Sequence, residues 1–137
     1  MHNGREEKIR LFGVDCPEKD QDFGTKAKRF TSTMVFGKTV EVEQVDRDHY
    51  GRTVGWVTVD GKSLNKELLR AGLAWWYRSH ARKYTELEEL ESEARQKRVG
   101  LWSHRDPMPP WKFRRDNRHD HDGDSFFHKF LKWFGSR

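Results

Sequence analysis

Lys8-Ile9-Arg10-Leu11-Phe12-Gly13-Val14-Asp15-Cys16-Pro17-Glu18 is the stretch that decides how this chain is read. Residues 8–14 have the apolar content of a β-strand, and Pro17 stops ladder pairing because it has no N–H to donate. Alternation puts Arg10, Phe12 and Val14 on one face. An arginine among apolar neighbours on a strand face is unusual unless that face lines a cleft. Asp15 and Glu18 stand at the strand's end, separated by a proline that stiffens the turn. Two carboxylates on a rigid turn can share a hard cation, or divide a cation and a water between them. On these residues alone a surface arginine flanked by ordinary loop acids is the commoner pattern, and it stays open.

Working outward, a polar loop over 19–23 leads to a helix expected over 25–36. Ala27, Phe30, Met34 and Val35 recur there near helical spacing, and Gly37 is a stop signal. Residues 39–45 alternate Val40 and Val42 with Glu41 and Glu43, the pattern of a half-buried strand. Residues 52–59 predict another strand, closed by an Asp60-Gly61 turn. Residues 64–71 predict a short helix ending at Gly72. Trp75-Trp76-Tyr77 forms an aromatic cluster in a connector, either a packing junction or a platform for bases. Thr85 and Glu88 have capping-box spacing and open a helix running to about Val99. Leu87, Leu90 and Ala94 share one face of it. Gly100 stops it, and Leu101-Trp102 are expected to fold back onto the core.

The composition changes from His104. Pro107, Pro109 and Pro110 predict an extended arm, and residues 114–124 are charged, unpatterned and expected to be mobile. His119 and His121 stand among aspartates, but the glycine is misplaced for a calcium loop of the EF-hand type, and a solvated loop is expected. In residues 125–134, Phe126, Phe127, Phe130, Leu131 and Phe134 share one helical face. That stripe suits docking on its own domain, a partner or a membrane surface. The chain thus divides into a principal domain, 1–103, an arm, 104–124, and an amphipathic segment, 125–137.

At 137 residues the chain has room for one modest core. Charged residues make up 36% of it, and no apolar run is long enough to cross a bilayer. Lys and Arg number 27 against 22 Asp and Glu, a net charge of +5 that favours polyanionic partners, nucleic acid above all. Cys16 is the single cysteine, which excludes an intrachain disulfide and leaves the compartment open.

A second polar cluster is Asp46-Arg47-Asp48-His49-Tyr50-Gly51-Arg52. Arg52 opens a strand directly after a glycine turn, which fixes its position, and a guanidinium fork can bind two phosphate oxygens at once. A hairpin turn with solvated charges is the plainer reading. Phosphodiester hydrolysis needs a metal, a base for the attacking water, and cations to meet charge developing on the phosphoryl oxygens. The chain offers candidates for each.

Taken together these pieces resemble the staphylococcal nuclease family. Residues 9–18 resemble its Arg-x-x-x-x-Asp-(Thr)-Pro-Glu strand, and Asp48-His49-Tyr50-Gly51-Arg52 its Asp-x-Tyr-Gly-Arg turn. Residues 64–74 resemble its second helix, and 94–102, ending Gly-Leu-Trp, the close of its last helix. The likeness runs from about residue 8 to 103. It implies an α+β fold, a five-stranded OB-type barrel with three helices. It implies a calcium-dependent nuclease acting on DNA or RNA, with Arg10 and Arg52 clamping the scissile phosphate. Asp15 would be a calcium ligand, and Glu18 would position or deprotonate the attacking water and touch the metal directly or through that water. Cys16 stands where threonine is usual and would offer its backbone carbonyl to the metal, which any residue can do. Tyr50 would touch the nucleotide.

The family also carries Asp-Gly-Asp-Thr on a hairpin before the Arg10 strand, and no Asp-Gly-Asp precedes residue 10 here. The expectation is a domain with its first two barrel strands cut away, short of one calcium ligand and weakened in activity. Exposed sheet edges would then invite self-association, and a strictly monomeric sedimentation profile at high concentration would count against that. Export or a cell-envelope location is what the resemblance suggests for the full-length protein. Two other functions compete: a non-catalytic OB module binding nucleic acid or protein, and an interaction module working through the Phe-rich segment. Retention of Arg10, Glu18 and Arg52 together favours the enzyme.

Overall fold

Gly13 decides how the quoted stretch folds. Its φ of +77° lies in the left-handed region, and a Cβ there would stand 2.6 Å from Leu87 Cδ1. The chain therefore turns at Phe12-Gly13, and the single strand expected over 8–14 becomes two: β1 (Ile9–Leu11) and β2 (Val14–Asp15). Alternation through Val14 is broken by the same turn. The computed structural model describes residues 7–117, and those residues form an α+β, OB-like fold.

After β1 and β2 come α1 (Gly24–Val35), β3 (Glu41–Arg47), β4 (Thr53–Val59), β5 (Lys62–Ser63) and α2 (Leu64–Arg70). Then follow β6 (Trp75–Trp76), α3 (Arg78–Ala81), α4 (Thr85–Lys97), a 3₁₀ turn (Gly100–Ser103) and α5 (Pro110–Asp116). β4 is the centre of the larger sheet. It pairs antiparallel with β3, from Glu41↔Thr58 to Arg47↔Thr53 with a register shift between Gln44 and Asp46. It pairs parallel with β1, with Arg10 opposite Val54. β5 extends it antiparallel at Val59↔Lys62. β2 and β6 make a separate antiparallel pair, with Asp15 opposite Trp75.

Three helices were expected, but five α-helices stand among the described residues. The connector after Trp76 folds into α3, and the proline-rich arm holds α5. Pro110 occupies the first turn of α5, where its missing N–H costs nothing and its fixed φ suits the helix. The capping box at Thr85 is not formed. Tyr84 is the N-cap of α4 and makes no side-chain cap bond. Its ring is drawn instead against Phe12 and Trp56, at centroid distances of 5.0 and 6.0 Å.

The core lies between β4 and helices α2 and α4. Ile9, Leu11, Val42, Val57, Val59, Leu64, Leu68, Leu69 and Leu87 are buried in it. A second cluster joins Trp75, Ala94, Leu101 and Trp102, so Leu101-Trp102 do fold back. Asn65 ties the two kinds of element together. It is fully buried; its Oδ1 accepts from Val57 N at 3.0 Å, and its Nδ2 donates to Phe12 O at 2.9 Å and Gly55 O at 3.2 Å. It thereby pins α2 to β4 and to the turn that aims β2. Residues 118–124 of the expected arm, with His119 and His121, and the Phe-rich segment over 125–137 lie outside the described residues.

Candidate active site

Asp15 ends β2 and is held by ladder pairing with Trp75. Only 4% of it is exposed. Glu18 follows in a turn closed on Gln21. Its N–H donates to Gln21 Oε1 at 2.9 Å, and its carbonyl accepts from Gln21 N at 2.9 Å. Gly24 packs directly on that carbonyl, where a Cβ would come within 2.1 Å of Glu18 O. The spacing read from sequence therefore does bring the two carboxylates together, and they converge on one group.

That group is Arg114 of α5. Its Nη2 donates to Asp15 Oδ2 at 2.7 Å, and its Nη1 donates to Asp15 Oδ1 at 3.2 Å and Glu18 Oε2 at 2.7 Å. This is a forked arginine–carboxylate pair, the strong kind of charge-assisted bond. Burial alone would lower the Arg114 pKa. The hydrogen bonds and charge of Asp15, then of Glu18, outweigh it and hold the guanidinium above its ordinary value. Nothing in the local pattern pointed to Arg114, because it reaches Asp15 across nearly the whole domain. The available signal is Pro110, which suits the first turn of a helix as well as an extended arm.

Arg10 is half-buried on β1. Its Nη1 donates to Val14 O at 3.4 Å, and its guanidinium lies 5.1 Å from the Tyr77 ring centroid. Cys16 is buried between the acids in sequence. Burial pushes its thiol far above the ordinary value; Asp15 adds to this, Arg10 partly offsets it and Glu18 adds again.

Arg52 is 9% exposed and is built into the β3–β4 hairpin. Its Nε donates to Asp48 Oδ2 at 2.6 Å and its N–H to Asp48 Oδ1 at 2.9 Å, and Tyr50 N donates to Asp48 Oδ1 at 3.0 Å. Burial would raise the Asp48 pKa, but the bonds and charge of Arg52, with the Tyr50 N–H, bring it below its ordinary value. Asp48 thus fixes the Arg52 side chain and the backbone of the turn. Tyr50 is largely exposed, with its ring 5.3 Å from the Arg52 guanidinium. The parallel register sets Arg10 beside Val54 of β4, and Arg52 stands one residue before that strand begins, so the two arginines are carried by neighbouring backbone.

A family model described as "Staphylococcal nuclease homologue" matches residues 8–104. The chain belongs to the staphylococcal nuclease family. It is 41% identical over 125 residues to Protein ParB of Escherichia coli, covering 84% of this chain and 71% of that protein. It is 43% identical over 115 residues to an "Uncharacterized endonuclease" of Escherichia coli, covering 83% and 74%. A micrococcal nuclease of Shigella flexneri is 33% identical over 121 residues, covering 81% and 70%.

The fit of a divalent cation to this nuclease-family site can be tested on the acids. Asp15 and Glu18 present hard oxygen donors to a single shared positive charge, the Arg114 guanidinium. The pair therefore suits a hard cation in kind. It is short in number, since among the described residues no group of three or more His, Cys, Asp and Glu side chains is placed to hold a metal. Calcium takes about six to eight oxygens, and backbone carbonyls and waters supply part of most such sets.

Proposed function

We propose that this chain is a calcium-dependent nuclease that hydrolyses phosphodiester bonds of DNA or RNA by attack of water on phosphorus. The observation that carries the reading is the convergence of Asp15 and Glu18 on one cationic group, on the segment that follows the strand bearing Arg10 across the Phe12-Gly13 turn. Asp15, Glu18 and the Cys16 carbonyl would hold the calcium ion, which when bound supplies Lewis-acid polarisation of the phosphate. Glu18 orients the attacking water and takes its proton. Arg10, braced by Val14 O and the face of Tyr77, and Arg52, braced by Asp48, meet the charge that develops on the phosphoryl oxygens. Both are held before substrate arrives, so little reorganisation is needed at the moment of reaction. Tyr50 offers an exposed ring to the nucleotide beside Arg52.

The experiment is release of acid-soluble fragments from DNA and RNA by the purified chain, with calcium and with a chelator. Cleavage lost on chelation is expected. Arg52→Lys keeps the charge but not the fork, and turnover should fall by about 100- to 1,000-fold with the fold preserved. Normal turnover in a folded Arg52→Lys variant would refute the role. A second reading, a non-catalytic OB module, is favoured by one observation: Arg114 already occupies both carboxylates. Retention of single-stranded DNA without cleavage at saturating calcium would select it.

A further inference from the structure

We propose that Arg114 is an internal competitor for the cation, and that α5 is a removable latch whose guanidinium fills the place between Asp15 and Glu18 that a divalent cation takes in the active state. The proposal rests on the reading above, that these two carboxylates hold the cation. Arg114 uses both oxygens of Asp15 and Oε2 of Glu18. A metal shared by the pair would sit between the same two carboxylates and draw on Asp15 oxygens that Arg114 already takes, and two cations in contact there would repel. Occupation by one excludes the other.

The latch is seated at three points. The Trp111 ring stacks on Tyr77 at 5.5 Å and meets Trp75 edge-on at 5.4 Å. Gln21 Nε2 donates to Met108 O at 2.9 Å, which ties the chain entering α5 to the loop that carries Glu18. Arg114 closes the far end. Tyr77 contacts both Trp111 and Arg10, so the latch rests on the same ring that braces the arginine assigned to the phosphate. The seat is also light enough to leave. α5 is a seven-residue helix, too short to persist alone, and Pro110 is its one buried residue. Release strips Trp111 from the second cluster but spares the main core, outside which α5 packs. A site closed about nine-tenths of the time binds its ligand about tenfold more weakly than the open form.

Calorimetric titration of calcium chloride into the full chain tests this, alongside Arg114→Gln, Trp111→Ala and the double variant Arg114→Gln/Asp15→Asn. Both single variants should bind calcium at least about tenfold more tightly than the parent, and the added Asp15→Asn should abolish the gain. Trp111→Ala leaves Arg114 and both acids in place, so it decides the matter if Arg114→Gln fails to fold. Binding that depends on Asp15 but is no tighter in either single variant overturns the latch and leaves the cation reading standing. Absence of binding in Arg114→Gln, or binding indifferent to Asp15→Asn, overturns the cation reading and the latch with it.

Discussion

Asn65→Ala should be the most damaging single truncation of a polar side chain in this domain. Asn65 has no solvent access and makes three hydrogen bonds, to Val57 N, Phe12 O and Gly55 O. Gly55 O keeps a partner after truncation, since Phe12 N also donates to it at 2.9 Å. Val57 N and Phe12 O do not have that cover. Each buried polar group left unpaired costs about 1–3 kcal/mol, so two cost about 2–6 kcal/mol. The cavity left by the amide adds to this. Against a domain stability of about 5–15 kcal/mol, the variant should sit near or past the edge of folding. Urea unfolding followed by tryptophan fluorescence measures it, as a fall in midpoint at unchanged slope. Asn65→Asp is the companion, because it keeps an acceptor for Val57 N but sets a carboxylate against two carbonyl oxygens. A loss below about 1 kcal/mol for Asn65→Ala would refute the reasoning that buried pairing here sets stability. The same substitution bears on the site, since Phe12 O belongs to the turn that aims Asp15 into place.

Asp48 should give stability an acid edge. Its carboxyl is brought below its ordinary value, so its contribution is full above about pH 4 and is lost as pH falls through the lower native value. Asp48→Asn should therefore be less stable than the parent at neutral pH, with the gap closing in acid; a gap that is constant with pH in thermal unfolding would contradict this. Cys16 should be inert in the native state, because burial and the neighbouring acid suppress its thiolate. Modification by a thiol-reactive disulfide reagent should proceed only at the rate of unfolding, and rapid labelling of the native protein would count against the buried placement.

The elements legible in the sequence were those written in periodicity and punctuation. Val40 and Val42 alternating with glutamates marked β3, Gly72 closed α2, and Gly100 stopped the region of α4. The carboxylate spacing was legible for the same reason, since Asp15, Pro17 and Glu18 lie within one turn. The strand over 8–14 was misread because its apolar content ran on through Gly13, whose positive φ answers to packing against Leu87 rather than to its own neighbours. The Thr85 capping box failed in the same way, overridden by the aromatic contacts of Tyr84.

By itself, then, the sequence determined the kinds of element, the charged turns and the chemistry available at each. Only the tertiary structure decided that a parallel pairing of β1 with β4 sets Arg10 beside Val54, two residues from Arg52, that Asn65 binds three backbone groups, and that Arg114 closes on Asp15 and Glu18. The physical reason is range. Helix and strand patterns repeat every few residues and are written locally, whereas a single guanidinium meeting a carboxylate far along the chain leaves no periodic trace and exists only once the core has fixed where β2 and α5 lie.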